Sequence, residues 1–255
     1  MAKYEHKYLV PLNQLDPLRE ALGPYVRLDR YADRNPEKEY TVRSIYFDTK
    51  DLDFYQEKLD GLHSRKKIRI RGYDPHAVNA TVFLEIKKKN GCFINKHRSP
   101  VEYKSLIPLL SSGDIQAHIC SNDDDTDKTE NAERFLFHVR HLALRPNILV
   151  LYEREAFYAK CHHDLRITID KNIRSQYHAS LHTLFEKDYN ISILPGRCIL
   201  EIKSGIQYPS WLRQILGEFH LKQEALSKYA MCIDSHRSRK PNLCIIGNGH
   251  FRMNH

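Results

Sequence analysis

Alternation of apolar and charged positions is the dominant pattern along this chain. In KKIRIRGY (66–73), Ile68 and Ile70 share one face and Arg69 and Arg71 the other. In FLEIKKK (83–89), Leu84 and Ile86 oppose Glu85, Lys87 and Lys89. Successive side chains of a strand point to opposite faces, so each segment reads as a β-strand with one apolar and one charged side. The same habit recurs in YEHKYL, where Glu5 and Lys7 align, and in VLYEREAF, where Tyr152 and Arg154 align. It recurs again in LRITID (Arg166, Thr168 and Asp170) and in ILEIKSG (Glu201 and Lys203).

The pattern predicts strands over 3–10, 40–49, 66–73, 81–89, 93–103, 147–158, 165–175 and 197–205. Asp74-Pro75 and Asn90-Gly91 mark turns between them. Helical signals interrupt the strands. Residues 13–26 read as a short helix with Asn13 as N-cap and Gly23-Pro24 as stop, and 52–63 as a short helix or an irregular crossing. Residues 106–119, 131–144, 209–219 and 227–234 also read as helical. The acidic stretch 120–130 reads as an exposed, mobile loop, and the segment after 235 as a partly disordered tail. No solenoid or propeller period is present. The reading is one α+β domain over 1–235, with about eight strands in an antiparallel sheet and a tail over 236–255.

A single charged strand face is ordinarily a solvated surface. Five or six such strands suggest something else. If the sheet closes into a β-barrel, one face becomes a lumen and the apolar faces pack outward against the helices. A lumen of Lys and Arg is tolerable only when wet and able to bind an anion. Arg supplies bidentate contacts to phosphate oxygens and Lys a compact charge. Carboxylates among them suit a divalent cation that bridges to phosphate, Mg²⁺ or Mn²⁺. Glu5, Glu85, Glu201 and either Glu153 or Glu155 are the candidates.

Composition agrees. The 255 residues carry a net charge of +8 and a pI near 9.1, which suits a polyanionic partner. There is no apolar run of the roughly 20 residues that a membrane-spanning helix needs, and MAKYEHKYLV has no signal-peptide core. Six cysteines without a CxxC pair read as reduced thiols in a cytoplasmic protein. Neither GxxxxGK(S/T) nor GxGxxG occurs, which removes support for P-loop and Rossmann readings. SRKK (64–67) leads straight into the strand with inward arginines, so a nucleic-acid partner is not expected.

The stretches YEHKYLV, SIYFDT, IRIRGY, FLEIKKK, YEREAF, LRITID, LEIKSG and LSKYA, in this order over 3–233, carry a resemblance. The chain resembles the VTC domain, the polyphosphate polymerase module of the vacuolar transporter chaperone complex. That domain belongs to the CYTH-like triphosphate tunnel metalloenzymes. The resemblance implies an antiparallel β-barrel around a basic tunnel. It implies Lys7, Arg69, Arg71, Lys87, Arg154, Arg166 and Lys228 as the residues that hold phosphate for catalysis. It adds Tyr152 and Ser227 as substrate-binding residues, and Glu201 as a metal ligand. Lys203 and Lys89 join the substrate-binding set, and Glu5 and Glu85 the metal set, by alternation. KYEHKY keeps one Glu and the Lys of the ExExK signature of tunnel triphosphatases, which favours the polymerase-like branch.

The implied activity is divalent-metal-dependent transfer of phosphoryl groups from ATP to inorganic polyphosphate. Two alternatives stay open: a triphosphatase acting on a nucleoside triphosphate or inorganic triphosphate, and a non-catalytic polyphosphate- or nucleotide-binding module. The sequence carries no SPX regulatory domain or membrane span of the kind found in the eukaryotic complexes. A membrane-protein partner and the oligomeric state are left open.

Overall fold

The computed structural model describes residues 4–73, 80–91, 93–119, 126–162, 164–186, 191–205 and 207–239. Among these residues are ten strands: β1 (Tyr4–Pro11), β2 (Val26–Leu28), β3 (Tyr40–Asp48), β4 (Ser64–Tyr73), β5 (Thr81–Asn90), β6 (Phe93–Glu102), β7 (Arg145–Ala159), β8 (Arg166–Tyr177), β9 (Ile191–Ser192) and β10 (Arg197–Ser204). The helices are α1 (Leu15–Leu22), α2 (Arg30–Arg34), α3 (Asp53–Leu59), α4 (Tyr103–Ser112), α5 (Ile115–His118), α6 (Thr126–His141), α7 (Ser210–Glu218) and α8 (Lys228–Arg239).

Eight strands form one antiparallel path in the order β1-β10-β8-β7-β3-β4-β5-β6. The short strands β2 and β9 add to β7 and β8. The sheet curls into a barrel-like tunnel that is not closed by a backbone ladder. Side chains bridge its seam: Lys87 of β5 reaches the Glu5 carboxylate of β1 at 3.1 Å. The segment before α8 also lies along β1, where the Glu224 N–H donates to the Lys7 carbonyl at 2.8 Å. Such cover satisfies backbone groups that an edge strand leaves free.

Among the described residues three apolar clusters hold this shape. One packs Ile68, Ile70, Leu84 and Ile86 of β4 and β5 beneath α4 and α6, through Leu106, Leu109 and Phe135. A second packs Tyr8, Leu200 and Ile167 beneath α1 and α7, through Leu18, Leu212 and Ile215. Both lie on the outer face, as the alternation requires. The third lies inside the curl, where Val42, Val150, Ile173 and Ile199 meet Tyr229, Cys232 and Ile233 of α8. Helix α8 thus fills part of the interior instead of lying outside.

Several local expectations need correction. A single helical turn occupies 12–14, so α1 begins at Leu15. Gln14 takes the cap position without capping through its side chain, in place of Asn13. Residues 126–130 belong to α6 and not to a loop, and Asp127 in its first turn suits the positive end of the helix dipole. The expected Asp74-Pro75 turn and residues 120–125 lie outside the described residues. Helix α8 runs on to Arg239, into the stretch read as a tail, and residues 240–255 lie outside the described residues. Cys161, Cys198 and Cys232, the cysteines described, are free thiols.

Candidate functional site

The inner face of β4 carries Lys67, Arg69 and Arg71 at alternate positions, and antiparallel register fixes what each one meets. Arg69 lies between Tyr46 of β3 and Glu85 of β5. Its Nε donates to Glu85 at 2.7 Å and its terminal nitrogen to the Tyr46 hydroxyl at 2.8 Å. Arg71 donates to the Ser44 hydroxyl at 3.1 Å and stands 3.7 Å from Glu85. Arg98 of β6 approaches the same carboxylate at 3.4 Å. Burial alone would raise the Glu85 pKa; the fields of Arg69, Arg71 and Arg98 outweigh it and bring the group down to about 2.

Across the seam, β1 and β10 pair Glu5 with Lys203 and Lys7 with Glu201. Lys7 lies 3.3 Å from Glu5 and 3.7 Å from Glu201. Lys203 contacts Glu201 and comes within 3.9 Å of Glu5. Burial and the neighbouring Glu201 both act to raise Glu5, yet Lys87, Lys7 and Lys203 hold it near 2. Glu201 resists burial in the same way, and Lys203, Lys7, Lys228 and Arg154 keep it well below the ordinary carboxylate range.

A third group straddles β7, β8 and α8. Asp170 is fully buried and accepts two bonds from Arg154, at 2.6 and 2.8 Å, with the Lys228 amine at 2.5 Å. Both cations also lie over the Tyr152 ring, Arg154 at 5.2 Å and Lys228 at 4.9 Å from its centroid. Ser227 is the N-cap of α8, accepting from the Ala230 N–H at 3.3 Å, and it also accepts from Lys67 Nζ at 2.8 Å.

The sequence-predicted residues therefore do not all sit alike. Lys7, Arg69, Arg71, Lys87, Arg154, Lys203, Tyr152, Ser227 and Lys228 converge on the interior. Arg166 stands opposite Lys203 in the β8–β10 register, on the same face as Asp170, but its side chain turns to Asp29, which it bonds at 3.1 Å ahead of α2. Lys89 shares the inner face of β5 beyond Lys87 and makes no ion pair among the described residues. Glu153 and Glu155 are corrected out of the metal set. They alternate with Arg154 and face the other way, Glu155 onto Arg19 and Lys171 and Glu153 onto Arg174.

Sequence reasoning passed over Lys67, Lys96, Arg98 and Asp170. Lys67 was available from the alternation, two residues before Arg69. Lys96 stands directly across from Lys87 in the β5–β6 register.

Glu5 and Glu201 share Lys7 and Lys203, whereas Glu85 is held by arginines. Among the described residues no group of three or more His, Cys, Asp or Glu side chains is arranged to hold a metal. Mg²⁺ ordinarily takes one or two carboxylates, with water and substrate phosphates completing its shell. The Glu5–Glu201 pair fits that donor set. No described helix is long and apolar enough to cross a membrane.

The family model for the VTC domain matches residues 2–237. Subunit 4 of the vacuolar transporter chaperone complex of Schizosaccharomyces pombe is 27% identical over 237 residues, covering 78% of this chain and 32% of that protein. The chain thus spans about a third of that relative's length. A Bacillus halodurans structure assigned as an adenylate cyclase superposes with a TM-score of 0.50 at 15% identity, covering 89% of this chain and 96% of that one. That likeness bears on the fold alone. A Hippeastrum protein assigned as an adenylyl cyclase, and described as having a dominant triphosphatase activity, gives 0.49 at 14% identity, covering 92% and 96%.

Proposed function

The chain belongs to the VTC domain family, and from that premise we propose that it is a polyphosphate polymerase that draws phosphoryl groups from ATP. The observation that carries this reading is the lumen itself. Cations from β1, β4, β5, β7, β10 and α8 converge there, and its carboxylates are already engaged by them. Such a surface accepts a long, evenly charged anion better than a small neutral substrate.

In this reading the triphosphate lies along the tunnel. Arg69 and Arg71, held in place by Glu85, Tyr46 and Ser44, grip phosphate oxygens bidentately. Lys7, Lys87 and Lys203 neutralise charge on one side, and Arg154 and Lys228 on the other. Arg166 and Lys89 receive the chain away from this centre. The acceptor is a terminal oxygen of phosphate or of a polyphosphate chain. Its bond to the γ-phosphorus forms as the bond from that phosphorus to the β–γ bridging oxygen breaks, and ADP leaves. The acceptor oxygen is already anionic, so no general base is needed; positioning and charge stabilisation carry the reaction. A Mg²⁺ or Mn²⁺ ion held by Glu5 and Glu201 would neutralise further charge on the transferred group.

The test is incubation of the purified protein with ATP and Mn²⁺ or Mg²⁺, with products resolved by phosphate chain length. Long chains with ADP are expected. ADP and free phosphate alone would make it a triphosphatase, and absence of turnover a binding module. The Glu201→Gln variant is expected to lose turnover while still binding polyphosphate; full turnover in that variant would remove the metal role given to Glu201.

A further inference from the structure

Most lumen lysines have a carboxylate at hand. Lys7 and Lys87 have Glu5, Lys203 has Glu201, and Lys228 has Asp170. Lys67 does not. Among the described residues its amine makes one hydrogen bond, to the Ser227 hydroxyl at 2.8 Å, and no ion pair. A neutral amine can make that bond as well as a charged one.

The groups that face it are mostly cationic. Arg69 follows on its own strand, and Lys87 lies directly across the β4–β5 register. Lys7 and Glu5 of β1 act on it through space without contact, and Glu5 is already engaged by Lys7 and Lys87. From α8 it meets the N-cap Ser227, with Lys228 next in the chain and committed to Asp170. Burial, and then Lys7, Lys87 and Arg69, push the Lys67 amine well below the ordinary lysine value, against the opposing pull of Glu5. Among the described residues Lys89 and Lys96 also lack an ion pair, but neither hydrogen-bonds the start of α8, and Lys96 is exposed to solvent.

The geometry points to Lys67 as a further phosphate anchor, one that takes a proton from solvent as a phosphate chain enters the tunnel. This rests on the reading of the tunnel as a polyphosphate site. An incoming anion reverses the sign of the charge around Lys67 and favours its ammonium form. The proton moves from buffer to Nζ, and binding weakens as pH rises. The amine also sits at the start of α8, so the chain would be seated against the helix that fills the interior.

The experiment is calorimetric titration of the full chain with inorganic tripolyphosphate, without nucleotide or metal. It is run at mildly alkaline pH in two buffers of different ionisation enthalpy. Wild type is expected to take up protons on binding. Lys67→Arg keeps a permanent charge, so it should bind at least as tightly with less uptake. Lys67→Met should bind roughly tenfold more weakly, also with less uptake. Thermal unfolding of each variant confirms that it is folded. Equal proton uptake in wild type and both variants would overturn the inference and leave the polymerase reading intact. Failure of folded wild type to bind tripolyphosphate would overturn both.

Discussion

The interior of the curled sheet has two halves, and the same strands build both. On β7, Val150 faces the packed half and Arg154 the charged half, with Tyr152 between them. On β10, Ile199 and Glu201 are two residues apart on one face and belong to opposite halves. The packed half is closed by α8 and α3. There Asp48 accepts from the backbone of Thr49, Phe54 and Tyr55 and from the Tyr229 hydroxyl. In the charged half, among the described residues, side chains hold one another by ion pairs, within strands and across the seam. The difference separates tasks along a single strand: apolar burial sets the curvature, and the charges it brings together are available to a ligand at a cost in stability.

Asp170 tests the boundary most severely. It is fully buried and is the counter-ion of both Arg154 and Lys228. Asp170→Asn leaves two buried cations without it, and the expected loss is about 3–5 kcal/mol in urea unfolding. Next is Ile233→Ala in α8, which opens a cavity in the packed half and should cost about 2–4 kcal/mol. If the halves are separate, the folded fraction of Ile233→Ala still binds tripolyphosphate with near wild-type affinity. A parallel loss of affinity would show that the plug shapes the site as well as supporting it.

The strands were legible because alternation survives wherever one face is charged and the other buried. The same rule grouped Arg69 with Arg71, and Glu201 with Lys203. It could not reveal the packed half. Val150, Ile173 and Ile199 are apolar on the inner face, and such positions do not say whether a sheet or a helix covers them. Nothing in SKYAMCID states that its helix enters a barrel. Asp170 shares the strand face of Arg166 in the sequence pattern, but its partner Arg154 is sixteen residues away along the chain. The Lys87–Glu5 bridge depends on sheet curvature, which periodicity does not encode. β2 and α2 were missed because a three-residue strand and a single charged turn are too short for any pattern.

The finest test of the comparison is pH, because the halves respond with opposite sign. Glu85, in the charged half, is lowered from 4.5 to about 2, with burial overcome by its arginines. Between those values the unfolded chain binds more protons than the native one. Its contribution is therefore present above 4.5 and lost as pH falls toward 2. Asp48, in the packed half, is raised above 3.8, because burial outweighs its hydrogen bonds. The native state then holds the proton more tightly, so that contribution is present below 3.8 and lost as pH rises through the higher folded value. Glu85→Gln should cost on the order of 2 kcal/mol near neutrality, and its gap from wild type should close as the solution is acidified. Asp48→Asn should remove the opposing slope. Urea unfolding across the acid range measures both, and if the difference between wild type and each variant changed with pH in the same direction for both, the two groups would not differ electrostatically in this way.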